Sequence, residues 1–271
     1  MKNLLLFTLL LASIGCNKKT DSVTINSQNN NNFGIQDLLV GGVEDPEGFI
    51  CAYSQLGSNG VRSYDFRAYF KAHPDSPSNY SVGTLTCNSK TVPLISAENN
   101  TYVLQDNDGA TSSYTNWLSN YMSVNFTGSG TYSSGSFTLN KHLEFTNFSL
   151  SGVTGSNNSF NKSGSLSISW NADSTNADSV YIVVTYDYET TKDYFNSSAP
   201  STPVMSYVKV ADNGACTLPS SFFSSFPTNS FNRIEIYRGN YDDFNAGTAG
   251  SPRTVGVLGY SKAILKLHIL L

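Results

Sequence analysis

The chain predicts an all-β protein: two antiparallel β-sandwich domains that follow an export leader and a polar tether. Three observations carry this. Apolar and polar residues alternate with a period of two through most of the chain, the pattern of half-buried strands. Turn residues interrupt the alternation at short intervals, as in sandwiches and barrels. Charged residues are only 13% of the 271, against about 25% in an ordinary soluble protein, and Ser, Thr, Asn and Gly occupy the polar positions instead.

The leader comes first. Met1-Lys2-Asn3 supplies one positive charge, Leu4 to Ala12 is an apolar run broken only by Thr8, and Ser13-Ile14-Gly15-Cys16 closes it with small residues. Such a run is far shorter than the ~20 residues a membrane-spanning helix needs, so it reads as a signal peptide. Ile14-Gly15-Cys16 resembles the lipobox of bacterial lipoproteins, with Ser13 where that pattern prefers Leu. The resemblance implies that residues 1–15 are removed and that Cys16 becomes a lipidated first residue, carrying a diacylglyceryl group and an N-acyl chain such as palmitate. Two or three acyl chains, at ~0.8 kcal/mol per buried CH₂, make a permanent anchor, so the membrane is one expected partner. Asn17 in place of Asp points to the bacterial outer membrane. Residues 16–32 then form the lipidated Cys and a disordered tether, because NKKTDSVTINSQNNNN has almost nothing to bury.

Residues 33–150 are assigned to an N-terminal sandwich. In Ser63 to Phe70, Tyr64, Phe66, Ala68 and Phe70 face one way and Asp65 and Arg67 the other. Phe49 to Tyr53, Tyr80 to Cys87, Tyr102 to Leu104, Trp117 to Phe126, Phe137 to Leu139 and Leu143 to Leu150 are further expected strands. Gly57-Ser58-Asn59-Gly60, Asp75-Ser76-Pro77, Asn107-Asp108-Gly109 and Gly128-Ser129-Gly130 mark the turns.

Residues 151–271 are assigned to a second sandwich, entered through the Ser/Gly/Asn-rich stretch Ser151 to Ser165. Leu166 to Trp170 is an apolar strand closing on Trp, followed by a polar turn and the Tyr-containing strand Ser179 to Tyr186. That sequence of features resembles the second and third strands of fibronectin type III and immunoglobulin-like sandwiches, and implies that topology for the second half. Tyr207 to Val210, Ala215 to Leu218, Arg233 to Arg238, Thr254 to Tyr260 and Ala263 to Leu271 complete the strands. Leu218, Phe222 and Phe226 recur at i+4 behind Pro219, which predicts a short helical turn plugging one end.

Four cysteines become three once Cys16 is acylated. Cys51 and Cys87 lie in strands of one proposed domain and are the candidate disulfide of an exported protein. Cys216 reads as a small buried hydrophobe. Net charge is −4 with no Lys/Arg cluster, which excludes nucleic acid as a partner. Among the three His, neither these nor any Cys or Ser falls in a metalloprotease, redox, nucleophile-elbow or phosphate-loop motif. The acidic turns at Glu44-Asp45-Pro46-Glu47, Asp106 to Gly109 and Asp242-Asp243 do not match a calcium loop. No cofactor and no metal are expected, and catalysis is not.

Binding residues are sought among the aromatics. Trp170 is expected in the core, while Trp117 shares a possible exposed face with Tyr114 and Tyr121. Tyr186, Asp187, Tyr188, Glu189, Asp193 and Tyr194 read as a loop of mixed aromatic and acidic character, the kind that recognises ligands at a sandwich end. The function these residues support is non-catalytic binding or adhesion at the cell surface, to a glycan or a surface protein. The alternatives are a periplasm-facing scaffold lipoprotein and a hydrolase acting on glycosides, which needs two carboxylates about 5 to 9.5 Å apart.

Overall fold

A computed structural model describes residues 47–73, 76, 78–96, 99–106, 121–140, 143–174, 179–195 and 200–271. The described residues are mostly strand, and the protein is an all-β sandwich. Cys16 with its leader and tether, the acidic turns at 44–46 and 107–109, Tyr114, Trp117 and His142 lie outside them.

The spine is a hairpin of two long strands, β15 (Ser230–Asn245) and β16 (Thr254–Leu270), paired from Ser230↔Ile269 to Asn245↔Thr254. At about 3.3 Å per residue each runs roughly 50 Å, nearly three times an ordinary strand. Each half of the spine serves a different neighbour. β1 (Gly48–Leu56) lies parallel to the first half of β16, Gly48↔Val255 to Leu56↔Ala263, and carries β2 (Arg62–Phe70), β6 (Thr101–Asp106) and β5 (Leu94–Ile95) outward from it. On the other flank β12 (Ser179–Tyr186) pairs with β15 and carries β13 (Met205–Ala211), while β10 (Ser159–Asn161) pairs with the last residues of β16. The result is one nine-stranded sheet.

Two small sheets roof it. One holds β3 (Leu85–Cys87), β4 (Lys90–Val92), β7 (Tyr121–Phe126) and β8 (Gly135–Asn140); the other holds β9 (Phe148–Ser151), β11 (Leu166–Trp170) and β14 (Ala215–Leu218). Strand alternation shows that both roofs cover the same face of the large sheet. β16 sends Val255 and Val257 into the first core and Ala263, Leu267 and Ile269 into the second, all at odd positions, while Leu258 and Tyr260 turn to the opposite face. Two sandwiches therefore share one floor.

Two cores lie under the roofs, and the large sheet combines strands from before and after residue 150. The first core draws Ala246, Val255 and Val257 from the far end of the chain. The strand expected in two pieces around Ser261 and Lys262 is continuous. Ser261 points inward, where its hydroxyl accepts from Ser54 Oγ and from the Phe145 amide, both at 3.0 Å, and Lys262 points outward. The helical turn behind Pro219 is a 3₁₀ turn, Ser220–Phe223, and its Phe222 joins Phe226 in the second core as expected. Trp170 is buried there too, its indole N–H donating to Asp212 Oδ1 at 2.7 Å. Cys216 packs in the same core, but as a disulfide-bonded cysteine and not as the plain buried hydrophobe expected.

The disulfide expected between Cys51 and Cys87 is not formed: both are thiols. Cys87 points into the first core, whereas Cys51 alternates with Ile50 and Ala52 and points to the opposite face of the large sheet. A sheet stands between their sulfurs, and burial pushes the Cys51 thiol up to about 12.

A polar seam divides the cores. Arg238 is 1% exposed, with Nε 2.8 Å from Asp212 Oδ2 in an ion pair, Nη2 donating to Asp212 Oδ1 at 3.0 Å and Nη1 donating to the Leu143 carbonyl at 2.9 Å. Its guanidinium lies 4.3 Å from the Phe145 ring centroid. Arg62 donates to the Phe145 carbonyl and pairs with Glu144 at 3.0 Å. The Leu143 amide donates to Asp173 at 2.6 Å, and the amides of Thr146 and Asn147 donate to Asn171 Oδ1. This explains why Leu143 to Asn147 is not the strand its sequence predicts. Its backbone groups are satisfied by side chains, so no ladder is needed to bury them.

Candidate binding face

The loop expected at Asp187 to Tyr194 is a helix, α1 (Tyr188–Phe195). Asp187 caps it. Its carboxylate accepts from the Thr190 amide at 3.0 Å and the Thr190 hydroxyl at 2.7 Å, satisfying donors that a helix start otherwise leaves open. Glu189 in the first turn and Lys192 in the last suit the helix dipole. Tyr186 is buried in the second core and Tyr188 packs against it, so neither is offered to a ligand. Glu189 and Asp193 are exposed, and Tyr194, 64% exposed, sits edge-on to Phe231 at 4.9 Å. The six residues thus divide between core, cap and solvent instead of forming one shelf. Tyr121 opens β7, on the roof of the first sandwich.

The surface that gathers aromatic groups is elsewhere: the face of the large sheet turned away from both roofs. Phe49, Cys51 and Tyr53 reach it from β1, Tyr69 from β2, Tyr181 and Val183 from β12, Met205 and Tyr207 from β13, Tyr237 and Tyr241 from β15, and Leu258 and Tyr260 from β16. Every member belongs to this one sheet. Among the described residues this apolar cluster has one wall, where the other two have two. Helix α1 bounds the face at one end, against Phe231 and His268.

Register sets the rings side by side. Tyr53 opposes Tyr260 across β1 and β16, and the two stack with centroids 4.8 Å apart and planes 15° apart. Tyr237 follows at 6.1 Å from Tyr260, and Phe49 lies 6.1 Å from Tyr69. Gly239, opposite Tyr260, is required here: a Cβ would stand 2.5 Å from that of Tyr260. Charges are woven between the rings. Lys262 Nζ lies 5.0 Å over Tyr53, Lys209 Nζ 5.5 Å over Tyr181 and Lys71 Nζ 5.9 Å over Tyr69, distances at which a cation is attracted to the ring. Asp65, 8% exposed, accepts from Gln105 Nε2 at 2.7 Å and pairs with Arg67 at 3.3 Å; Glu235, 4% exposed, pairs with Arg233 at 3.1 Å.

Burial dominates the acid–base behaviour of the patch. It raises Tyr53 to about 12, with the Asp65 charge adding to the effect, and raises Tyr237 and Tyr260 further. It also lowers Lys262, against the pull of the Glu235 and Asp65 carboxylates. The phenols stay protonated at neutral pH, and those of Tyr53 and Tyr237 are hydrogen-bonded to the Asp65 and Glu235 carboxylates.

The sequence did carry a signal for this face. Phe49-Ile50-Cys51-Ala52-Tyr53 and Val255 to Tyr260 are apolar at consecutive positions, the mark of strands apolar on both faces. A search for alternation selects one face and passes over the other.

No family model matches the chain, and no curated protein matches it. Among solved structures, the crystal structure of the chicken CNTN1 FN1-FN3 domains is similar over 79% of this chain and 68% of that one, at 14% identity and a TM-score of 0.22.

Proposed function

We propose that this protein is a non-catalytic binding protein of the bacterial envelope, held to the outer membrane by a lipidated Cys16, which engages a partner through the outer face of its large sheet. The observation that carries the reading is the one-walled tyrosine cluster. A sheet face of this composition is normally covered, and a contiguous aromatic patch on a protein surface marks an interaction site. Two sandwiches fused along a continuous floor give that patch a long, stiff support, and rigid elements position binding groups better than loops do. Anchoring is left to the lipidated Cys16, so the folded part is free for recognition.

Covalent footprinting tests this directly. Lys209, exposed, and Tyr181 and Tyr207, half-buried, are labelled in the purified mature chain and again in intact cells carrying the full lipoprotein. Protection in cells, with exposed positions on the roof sheets such as Thr91 labelled equally in both, is the expected result. Equal labelling everywhere overturns the reading.

A further inference from the structure

We infer that the partner of this face is an acidic protein surface, which rests on the binding reading above and adds the chemistry of what is bound. Three observations lead there.

The first concerns the rings. Sugar recognition by stacking needs open aromatic faces, but those of Tyr53, Tyr260, Tyr181 and Tyr69 already have partners. Tyr53 and Tyr260 cover one another at 4.8 Å, Lys262 lies over Tyr53, Lys209 over Tyr181, and Phe49 and Lys71 flank Tyr69. Val183 and Met205 are buried in the cluster, and what the face offers outward is the half-buried rings of Tyr53, Tyr69, Tyr181 and Tyr207 among the exposed Arg67, Lys209, Arg233 and Lys266. Tyr and Arg on such a surface are the composition of a protein–protein interface core.

The second concerns charge. On a chain of net charge −4, the outward strand positions of the large sheet carry five basic side chains, Arg67, Lys209, Arg233, Lys262 and Lys266, against three acidic ones, Asp65, Glu235 and Asp243. The acidic groups of α1, Glu189 and Asp193, stand at the end of this basic strip and bound it.

The third concerns pairing. Asp65 and Glu235 are already engaged by Arg67 and Arg233. Among the described residues, no carboxylate lies within ion-pair distance of Lys209, Lys262 or Lys266. Arg233 and Lys266 also face each other directly across β15 and β16, an arrangement of like charges that costs stability until an anion lies over it. Carboxylates of an acidic partner would relieve both features while its apolar groups met the tyrosine edges, and complementary charge of this kind sets partner choice and association rate.

The test uses the soluble mature chain, residues 16–271 with Cys16 replaced by Ser, and defined probes on a biosensor. The probes are a random copolymer of glutamate and tyrosine, poly-L-glutamate, polygalacturonate, and phosphatidylglycerol vesicles. The copolymer is expected to bind most tightly and to weaken as salt rises. Lys209→Glu and Lys266→Glu, both at exposed positions, are each expected to weaken it about tenfold or more; Tyr181→Ala weakens it similarly, and Thr91→Glu on the roof sheet leaves it unchanged. Denaturation midpoints of the variants establish that they fold. Tighter binding of polygalacturonate would identify an acidic glycan, and preference for vesicles a lipid surface. Either result overturns the inference, as does salt-independent binding or none to the copolymer. Each of these leaves footprint protection in cells untouched, so failure of the acidic-protein inference and failure of the binding reading are separate results.

Discussion

The two faces of the large sheet are made by the same strands and have opposite chemistry. Toward the roofs they present Ile50, Ala52, Phe66, Val257, Ala263 and Leu267, all sealed from water; away from them they present tyrosines, Cys51, Met205 and lysines. The inner face has a second layer within the chain and uses hydrocarbon, which gains only from burial. The outer face also buries hydrocarbon, Leu258, Val183, Met205 and Phe49, but adds hydroxyl-tipped rings and cations held over them, groups that tolerate water. The two faces therefore differ in composition as well as in what covers them among the described residues.

The seam gives the largest expected effects. Asp212→Ala strands the buried Arg238 guanidinium and is expected to cost about 3 to 5 kcal/mol, whereas replacing both partners with apolar residues recovers much of that loss. Chemical denaturation of the single and double variants measures it, and a small single-variant effect would show that the two sandwiches do not depend on the seam. Phe66→Ala, in the first core, is expected to cost a similar 3 to 5 kcal/mol.

Next comes alkali. Burial raises the Tyr53 phenol to about 12 in the folded protein, above its unfolded value of 10. Its contribution to stability is therefore complete below pH 10 and is lost as pH rises from 10 toward 12. Phenolate absorbance should show Tyr53 ionising late, and Tyr53→Phe should flatten that part of the stability profile. On the acid side, burial lowers His268 from its ordinary 6.5. A base depressed by folding favours the native state above pH 6.5, and that advantage fades as pH falls below it. His268→Gln, compared with the parent by urea midpoint on both sides of pH 6.5, should reduce the acid-side loss.

The smallest effect sharpens the contrast most. Tyr181→Ala is expected to change stability by no more than about 1 kcal/mol, since it empties no cavity between two layers. Its loss should appear in binding instead. A cost as large as that of Phe66→Ala would mean that the outer face is also a closed core.

Local structure was legible wherever a strand's own pattern decided it. Ser179 to Tyr186 and Ala215 to Leu218 were predicted with the bounds observed. The misses have identifiable causes. Tyr80 to Thr84 alternates like a strand, yet its backbone turns to the Tyr102 hydroxyl, which accepts from the Val82 amide at 3.0 Å and donates to the Gly83 carbonyl at 2.6 Å. The helix at Tyr188–Phe195 was hidden by its aromatic and Thr content, although Asp187 followed by Thr190 is a legible cap. The outer tyrosine cluster was missed because single aromatics in loops were weighed, while its members sit at every second position of strands far apart in sequence.

The sequence by itself determined that this chain is all-β and where most strands lie, because alternation and turn chemistry act over a few residues. Only the tertiary structure decided that Gly48 meets Val255 in a parallel pair, that two sandwiches therefore share a floor, and that among the described residues no second sheet covers the tyrosine-rich face of that floor. Pairing between strands two hundred residues apart is chosen by competition among many compatible edges and registers, and a strand's own residues cannot say which neighbour, or which cover, its two faces will find.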